Sequence, residues 1–491
     1  MSVLGIIYWL WRIIVIGAII HVVLDNRQPA KTIAWALVIY FLPIAGVVAY
    51  LFFGVNRRKE RYISRRSMDQ LTKRSMLEFV EQRDLSLPEK HKPVIDLFVN
   101  QSFSLPFNNN KVEVLVNGYQ FFPQLLRDIA AAESHIHIDI YIFKDDALGR
   151  LVSDALIAKR RQGVEVRIVY DDVGCWNVKD AFFERMRIEG IEVEPFMPVR
   201  FPRFTSKANY RNHRKIMVID GRVGYIGGMN IALRYVKGTG KQPWRDTMVR
   251  VEGRGVYSLQ RAFLIDWYFV DRTLLSEKTY YPSTTLSEEE NYTTESASTR
   301  PSFHSGKSGG VLQTVTSAPT ASYPEIMQGY MRIIMAAKKY IYIETPYFLP
   351  TMGIHAALQM AAQSGVDVRI LVPAKSDARF TEWASRSYLR EASKAGIKVS
   401  FYQAGFLHSK LMVCDDSVCT CGSTNVDFRS FENNFEANTF FYDKALAQNF
   451  RQMFLADETQ SITLTKNPKF QNMTILTRLG ESLTRLFSPL L

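Results

Sequence analysis

The feature of this sequence that most constrains its fold is an internal repeat. Three segments, IAAAESHIHIDIYIF (129–143), GVEVRIVY (163–170) and GIEVEPF (190–196), recur in the same order as IMAAKKYIYIETPYF (334–348), GVDVRILV (365–372) and GIKVSFY (396–402). Apolar or alternating runs that open with glycine after a helical stretch are typical of buried strands. Each copy therefore predicts an α/β unit with a largely parallel core and helices on its faces.

A short motif, H-x-K-x(4)-D, stands at the equivalent place in both copies. It comprises His213, Lys215 and Asp220 in the first copy and His408, Lys410 and Asp415 in the second. Asn230 and Asn425 each follow their histidine by 17 residues. One such pattern carries little information, but two copies with the same spacing indicate a site built from both repeats.

The residue types in this motif suit phosphodiester chemistry. Residues i and i+2 of a strand share a face, so each histidine lies beside its lysine. The ammonium groups and the amides of Asn230 and Asn425 can hold the non-bridging oxygens of a phosphate. One imidazole can attack phosphorus, and the other can protonate the leaving alkoxide and then deprotonate the incoming alcohol. The lysines supply the cations, so we expect neither a metal nor a cofactor.

Carboxylates complete the candidate site. A catalytic imidazole needs a carboxylate that fixes its tautomer and stabilises its cation. Asp246, in WRDT, and Glu436, in NNFE, follow the two histidines at similar distances, and the sequence leaves open which carboxylate serves which histidine. Asp220 and Asp415 complete the catalytic motif, but their position at a strand end before DGR and DDS favours a role in capping a turn.

The N-terminal region predicts a membrane anchor. Residues 32–56 carry no charge. As a helix this segment is long enough to cross a hydrocarbon core of about 30 Å, with a kink expected at Pro43. Residues 3–24 form a second apolar run interrupted by Arg12, which either spans with it as a transmembrane helical hairpin or lies half-inserted at the interface. The basic residues between 57 and 74 place the remaining chain on the cytoplasmic side of the inner membrane and can bind anionic lipid headgroups.

The predicted organisation has six parts. They are the anchor (1–56), a basic juxtamembrane linker (57–108), the first repeat (109–282), a flexible Ser/Thr-rich linker (283–310), the second repeat (311–456) and an amphipathic C-terminal tail (457–491). The tail can pack on the core or contact lipid. The net charge of +13 favours anionic partners, and the anchor makes a membrane with anionic lipids a better candidate than nucleic acid.

The chain resembles the phospholipase D superfamily, and within it the bacterial cardiolipin synthases. RNHRKIMVIDG, WRDT, ETPYFLP, GSTNVDFRS and NFE carry the resemblance, as does the apolar segment 32–54. It implies two phospholipase D-like α/β repeats, each a mixed sheet flanked by helices, in a pseudo-two-fold arrangement. His213 is implied as nucleophile and His408 as general acid. It also implies Asp246 and Glu436 as the carboxylates that orient the histidines, and the lysines and asparagines as phosphate ligands.

The resemblance implies a substrate as well. Members of that family join two phosphatidylglycerols into cardiolipin and release glycerol, through a phosphatidyl-histidine intermediate and without a nucleotide. Three alternatives use the same residues: a phospholipase D-type hydrolase, a phosphatidyltransferase with another acceptor alcohol, and a nuclease. A membrane scaffold without activity is a fourth, against which the two intact motifs argue.

Overall fold

The computed structural model describes residues 3–24, 29–54, 65–80, 85–199, 209–240, 242–282, 310–471 and 473–488. Part of the predicted basic cluster, at residues 57–61, lies outside the described residues. So does the Ser/Thr-rich linker up to residue 309.

The N-terminal region is a series of helices. These are α1 (Val3–Leu24), α2 (Pro29–Phe41), α3 (Pro43–Ala49), a π-helical turn (Tyr50–Gly54), α4 (Arg65–Val80) and α5 (Lys92–Ser102). The segment expected to kink at Pro43 instead breaks there, because proline lacks an N–H and fits only the first turn of a new helix. Among the described residues, no helix combines the length and the apolar character needed to cross a membrane.

The predicted juxtamembrane linker contains structure of its own. Helix α5 places Val94, Ile95 and Phe98 in the hydrophobic core of the second repeat, and α4 contacts a helix of the first repeat. Residues 65–102 therefore belong in large part to the folded body.

The described residues of the first repeat form eight strands and five α-helices. The strands are β1 (Asn110–Val116), β2 (His135–Ile140), β3 (Glu165–Asp171), β4 (Glu192–Phe196), β5 (Lys215–Ile219), β6 (Val223–Gly227), β7 (Trp244–Arg245) and β8 (Thr247–Gly253). The helices are α6 (Asn117–Ala131), α7 (Ala147–Arg161), α8 (Asp180–Ile188), α9 (Arg234–Lys237) and α10 (Val256–Asp271). Seven of the strands form one mixed sheet in the order β1-β8-β6-β5-β2-β3-β4.

The second repeat and the tail contain the remaining elements. The strands are β9 (Val311–Ser317), β10 (Tyr340–Glu344), β11 (Phe348–Leu349), β12 (Asp367–Pro373), β13 (Lys398–Tyr402), β14 (Phe406–Leu407), β15 (Leu411–Cys414), β16 (Val418–Gly422), β17 (Val426–Asp427), β18 (Glu436–Tyr442) and β19 (Ser461–Thr463). The helices are α11 (Glu325–Ala336), α12 (Met352–Gln363), α13 (Arg379–Lys394), α14 (Phe428–Glu432), α15 (Lys444–Thr459), α16 (Pro468–Gln471) and α17 (Ile475–Arg485).

The two sheets share one topology. The second sheet has the order β9-β18-β16-β15-β10-β12-β13, the counterpart of the first strand for strand, and β19 from the tail extends its edge. In both sheets the first three segments of the sequence repeat form parallel neighbours, whereas the motif strands β5 and β15 run antiparallel to β2 and β10. The prediction of a duplicated unit with mixed sheets and flanking helices is confirmed.

The sheets meet through a shared apolar core. One buried cluster takes Ile216, Val218 and Ile226 from the first sheet and Leu411, Val413 and Cys421 from the second. Separate clusters lie between each sheet and its outer helices. Burying both faces of each sheet explains why the central strands are almost continuously apolar.

The motif aspartates lie in turns. Asp220 accepts hydrogen bonds from the backbone N–H groups of Glu133, Ser134 and His135 at 2.8–2.9 Å. Asp415 binds the three equivalent N–H groups of residues 338–340 in the second repeat. Both aspartates have positive φ angles, of 53°, which aspartate tolerates better than most residues. Each carboxylate thereby fixes the loop that leads into the central strand of its sheet.

We predict that Asp220→Ala destabilises the fold and spares the chemistry. Three backbone N–H groups lose their acceptor, so the free energy of unfolding should fall by about 1–3 kcal/mol. Urea unfolding and the reaction rate per folded molecule check this, with Asp154→Ala, at an exposed ion pair with Arg185, as the control. Loss of the reaction at unchanged stability would instead give Asp220 a catalytic role.

Candidate active site

Backbone pairing between the two repeats builds the site. Strand β14 of the second repeat pairs in parallel with β7 of the first, and the N–H of His408 donates to the carbonyl of Arg245 at 2.7 Å. The equivalent bridge joins Asn212 to Phe435, where the N–H of His213 donates to the Phe435 carbonyl at 2.9 Å. Each motif histidine is therefore seated on a segment of the opposite repeat.

His213 receives its carboxylate from the second repeat. Its Nδ1 lies 3.1 Å from both carboxylate oxygens of Glu436, which is fully buried at the start of β18. Glu436 also accepts hydrogen bonds from the Ser423 hydroxyl and, at 3.1 Å, from the Asn434 amide. Because a carboxylate only accepts, Nδ1 carries the hydrogen and Nε2 keeps a free lone pair.

His408 receives its carboxylate from the first repeat. Its Nδ1 lies 2.7 Å from Oδ2 of the buried Asp246. The other oxygen, Oδ1, accepts the backbone N–H of Thr247 at 2.8 Å. The rings of Trp244 and Tyr235 pack around the imidazole with centroid distances of 5.3 and 6.4 Å. Each histidine is thus oriented by the carboxylate of the opposite repeat, a pairing that the sequence left open.

The two lysines lie beside their histidines and are buried. The Lys410 ammonium is 2.9 Å from Nδ1 of His408, and the Lys215 ammonium lies 5.1 Å from the centre of the Tyr141 ring. The pKa of Lys215 is lowered to about 7, mainly by burial. The positive charge of Lys410 acts in the same direction, and Glu436 opposes the change. Burial also lowers the pKa of Lys410, against the nearby Asp246 and Glu436 carboxylates.

Burial makes both imidazoles poor proton acceptors. It lowers the pKa of His408 to about 4, with Lys410 acting in the same direction and Asp246 against it. It also lowers the pKa of His213, with Glu436 opposing. At neutral pH both rings are therefore uncharged. An uncharged imidazole whose Nε2 carries no hydrogen can act as a nucleophile.

The predicted phosphate ligands Asn230 and Asn425 are buried and partly engaged. Asn230 donates from Nδ2 to the Tyr235 hydroxyl at 2.7 Å and accepts the N–H of Ile142 at 2.9 Å. Asn425 donates from Nδ2 to Asp427 at 3.0 Å. Each amide nitrogen has a second hydrogen to offer a ligand. The structure does not bring Asp220 and Asp415 to this cluster.

Two buried arginines, not predicted from the sequence, hold the backbone of the residues that carry the orienting carboxylates. Arg214 donates from Nε to the backbone carbonyl of Glu436 at 3.1 Å and forms an ion pair with Asp266 of α10. Its chain neighbour is His213, so one residue ties the histidine strand to the carboxylate strand.

Arg245 has the matching role in the other pair. It donates from Nη1 to the backbone carbonyl of Asp246 at 3.0 Å and from Nε to Asp457 of α15 at 2.9 Å. Asp266 and Asp457 stand at equivalent places in the two repeats. This match in the sequence could have indicated that both aspartates have a buried arginine partner.

The two histidine–carboxylate pairs differ at one supporting position, which is glycine in the first repeat and serine in the second. A Cβ atom added to Gly228 would lie 2.1 Å from Oδ1 of Asp246, so the aspartate packs against bare backbone. The second repeat has Ser423 there, and its hydroxyl binds Glu436. The residue that follows β6 in the first repeat and β16 in the second thus contacts the carboxylate that serves the other repeat's histidine.

The donor set favours a phosphate over a metal ion. Besides burial, the Lys410 ammonium lowers the pKa of both His213 and Lys215, so the two motifs lie close together, and each orienting carboxylate is engaged by a histidine. Among the residues that the structure describes, no cluster of three or more His, Cys, Asp or Glu side chains is arranged to hold a metal. A bound phosphodiester would meet positive charge and N–H donors, with one imidazole positioned to attack and one to transfer protons.

Comparison with family models gives two matches. The model described as cardiolipin synthase, PLD-like domain, matches residues 125–267 and 330–458, one segment in each repeat. The model described as phospholipase D-nuclease N-terminal matches residues 13–54.

Full-length relatives and a solved structure agree with these matches. A cardiolipin synthase of Oceanobacillus iheyensis is 37% identical over 96% of both chains, and the major cardiolipin synthase ClsA of Bacillus subtilis is 35% identical over 100% of both. The crystal structure of a phosphatidylserine synthase from Haemophilus influenzae superposes with a TM-score of 0.62 at 14% identity, covering 82% of this chain and all of that one. At that identity the structural match supports the fold alone.

We predict that Gly228→Ala slows the reaction. The added methyl group displaces the Asp246 carboxylate and leaves His408 without its orienting partner, so the rate should fall at least about tenfold. The rate and the melting temperature are measured together. Gly353→Ala is the control, because its Cβ would meet only the flexible end of Met331. A rate near that of the parent protein would contradict the role given to Asp246.

We also predict an alkaline loss of activity that depends on Lys215. A lysine with a pKa of about 7 loses its positive charge as the pH rises through that value, so kcat/KM should fall above about pH 7. Lys215→Arg stays charged and should move this fall to higher pH, even if its maximal rate is lower. Lys398→Arg, at an exposed site, should leave the profile unchanged. If kcat/KM fell over the same alkaline pH range in the parent protein, Lys215→Arg and Lys398→Arg, Lys215 would be excluded as the cause of the fall.

Proposed function

The chain belongs to the cardiolipin synthase family of phospholipase D-like proteins, and from this we propose that it joins two phosphatidylglycerols into cardiolipin and glycerol. It is a phosphatidyltransferase that acts on phospholipids. A phosphodiester is exchanged for a phosphodiester in this reaction, so no nucleotide is consumed.

The pairing of each histidine with a carboxylate of the opposite repeat carries the proposal. His213 with Glu436 and His408 with Asp246 give two oriented imidazoles, one from each repeat. A double displacement at phosphorus uses two imidazoles, because one forms the covalent bond while the other transfers protons, and we propose that these two act on the same phosphorus.

The first displacement forms a phosphatidyl-histidine. Nε2 of His213 attacks phosphorus of the first phosphatidylglycerol, and the bond from phosphorus to the glycerol headgroup oxygen breaks. His408 donates a proton to that oxygen, and glycerol leaves. Lys215, Lys410, Asn230 and Asn425 stabilise the charge on the non-bridging oxygens, and Glu436 stabilises the positive charge on His213.

The second displacement reverses these roles. His408 removes the proton from a glycerol hydroxyl of the second phosphatidylglycerol, and that oxygen attacks phosphorus. The bond between phosphorus and Nε2 of His213 breaks, which releases cardiolipin and restores both imidazoles. Over the two steps His408 gives one proton and takes one back.

Substrate binding prepares His408 for its role as an acid. The nearby Lys410 ammonium contributes to its low pKa of about 4. A phosphodiester anion bound between the two lysines opposes that ammonium and so raises the pKa of His408. The proton donor is thereby formed when a lipid headgroup is in place.

The helices α1 and α2 are the proposed attachment to the bilayer. They pack together through a small cluster of Val22, Ile39 and Tyr50. Large apolar side chains such as Trp9, Ile13 and Phe41 are exposed on their outer surfaces, where a lipid phase would cover them. Lys31 joins this region to the second repeat through an ion pair with Glu432 at 3.2 Å.

Orientation follows from the basic residues after the anchor. Lys and Arg between positions 57 and 74 favour the anionic cytoplasmic leaflet of the inner membrane. We propose that the catalytic repeats face the cytoplasm on this basis.

We predict that the purified full-length protein makes cardiolipin and glycerol from phosphatidylglycerol alone. The assay uses mixed micelles with a chelator and without nucleotide, and mass spectrometry identifies the products. Phosphatidic acid as the only product would show that water is the acceptor and the protein is a hydrolase. No product without added metal would contradict the assignment of the cationic role to the lysines.

We predict that His213→Ala and His408→Ala each lower the transfer rate by about 100-fold or more, because each removes one of the two imidazoles. A phosphatidylglycerol analogue with a nitrophenol leaving group needs no acid. With it, His408→Ala should accumulate an acid-labile lipid adduct on His213, and His213→Ala should not. His355→Ala, a buried histidine of α12, is the control. An adduct in His213→Ala would exclude His213 as nucleophile.

A further inference from the structure

The C-terminal helix α17 packs with its polar side inward. Glu481 is fully buried against α13, where it forms ion pairs with Arg390 at 2.6 Å and Arg386 at 3.9 Å. Thr484, one turn further on, is buried on the same side. A surface helix of a soluble protein normally buries its apolar side and exposes its charges, so the orientation of α17 is reversed.

The outward side of α17 is apolar along its whole length. Leu476 is 80% exposed and Leu486 is 74% exposed. The exposed set, which we call the leucine face, is Ile475, Leu476, Leu479, Leu483, Leu486 and Phe487. These residues recur every three or four positions and so form one continuous stripe. Leaving such a stripe in water is unfavourable, so it marks a contact surface.

Neighbouring aromatic side chains extend the leucine face onto α13. Phe380 is exposed, and its ring lies 5.9 Å from that of Phe487. Trp383 lies under Gly480, where a Cβ atom would be 2.7 Å from the indole. The ring contact between Phe380 and Phe487 places one end of the leucine face at the start of α13.

This end of α13 adjoins the catalytic site. Asp377, just before α13, accepts a hydrogen bond from the Tyr347 hydroxyl at 2.6 Å. Burial lowers the pKa of both His408 and Lys410, and the negative charge of Asp377 partly opposes this, so Asp377 lies near the second motif. One end of the leucine face therefore lies on the side of the fold where Asp377 approaches the second motif.

We propose that the leucine face inserts into the interfacial layer of a phospholipid bilayer and holds the entrance of the catalytic site against the lipid surface. This inference rests on the proposed function, since a lipid substrate stays in the bilayer while its headgroup reacts.

Charge favours a bilayer over a second copy of the chain as the occupant. Lys375, Arg379 and Arg478 are exposed around the leucine face. The net charge of the chain is +13. Anionic headgroups attract such a surface, whereas an identical copy repels it. Phosphatidylglycerol, the proposed substrate, is itself anionic.

Two substrates of different physical state test the proposal in the full-length protein. Leu476→Glu/Leu479→Glu should lower kcat/KM about tenfold on phosphatidylglycerol vesicles. It should leave the rate on a short-chain phosphatidylglycerol dissolved as monomers unchanged. Ile188→Glu, which places the same charge on an exposed apolar residue of the first repeat, should change neither rate.

The outcomes separate this inference from the proposed function. Equal rates of the double variant and the parent protein on vesicles would overturn the leucine face as a membrane contact, and so would an equal loss on both substrates. Absence of cardiolipin from the parent protein with either substrate would instead overturn the proposed function.

A probe on the leucine face gives a readout independent of activity. The native cysteines are buried, so an environment-sensitive fluorophore can be attached at Leu483→Cys, with Ser364→Cys as the control. Vesicles of phosphatidylglycerol and phosphatidylcholine should shift emission to the blue, and nitroxide-labelled lipid should quench it, only at position 483. An unchanged spectrum with vesicles would overturn the proposal, as would a blue shift that follows protein concentration without lipid.

Discussion

The cross-repeat backbone pairing is the interaction on which the site depends. The bridge from Asn212 to Phe435 and the pairing of β7 with β14 bring each histidine to a carboxylate of the other repeat. Neither repeat contains a complete imidazole–carboxylate pair. The shared apolar core between the sheets holds this register, and the buried arginines Arg214 and Arg245 tie the carboxylate-bearing segments to it.

The sequence carried enough information to predict the repeat and most of the site. The period of the apolar segments predicted the duplicated sheet, because strand burial and glycine-opened turns leave a regular pattern. The residue types of the H-x-K motif predicted the chemistry, and Asp246 and Glu436 were found as candidate carboxylates by their matched positions. A turn role for Asp220 and Asp415 was predictable from the strand end that each occupies.

Other features depend on contacts between distant segments and leave little trace in the sequence. Which carboxylate serves which histidine is decided by the docking of two sheets. The inward orientation of α17 depends on Arg386 and Arg390, almost 100 residues earlier. The break at Pro43 replaced the expected kink because Pro43 begins a new helix. A hairpin that crosses the membrane was also expected, and none of the described helices has the length and apolar character for it.

The sequence separation of the two pairs has a consequence for synthesis. The chain leaves the ribosome N-terminus first, and domains fold as they emerge. His213 stays without its carboxylate until Glu436 has been made, 223 residues later. The first repeat can therefore emerge and fold without an oriented nucleophile. On the proposed mechanism, reactivity toward a phosphodiester begins only once Glu436 has joined the fold.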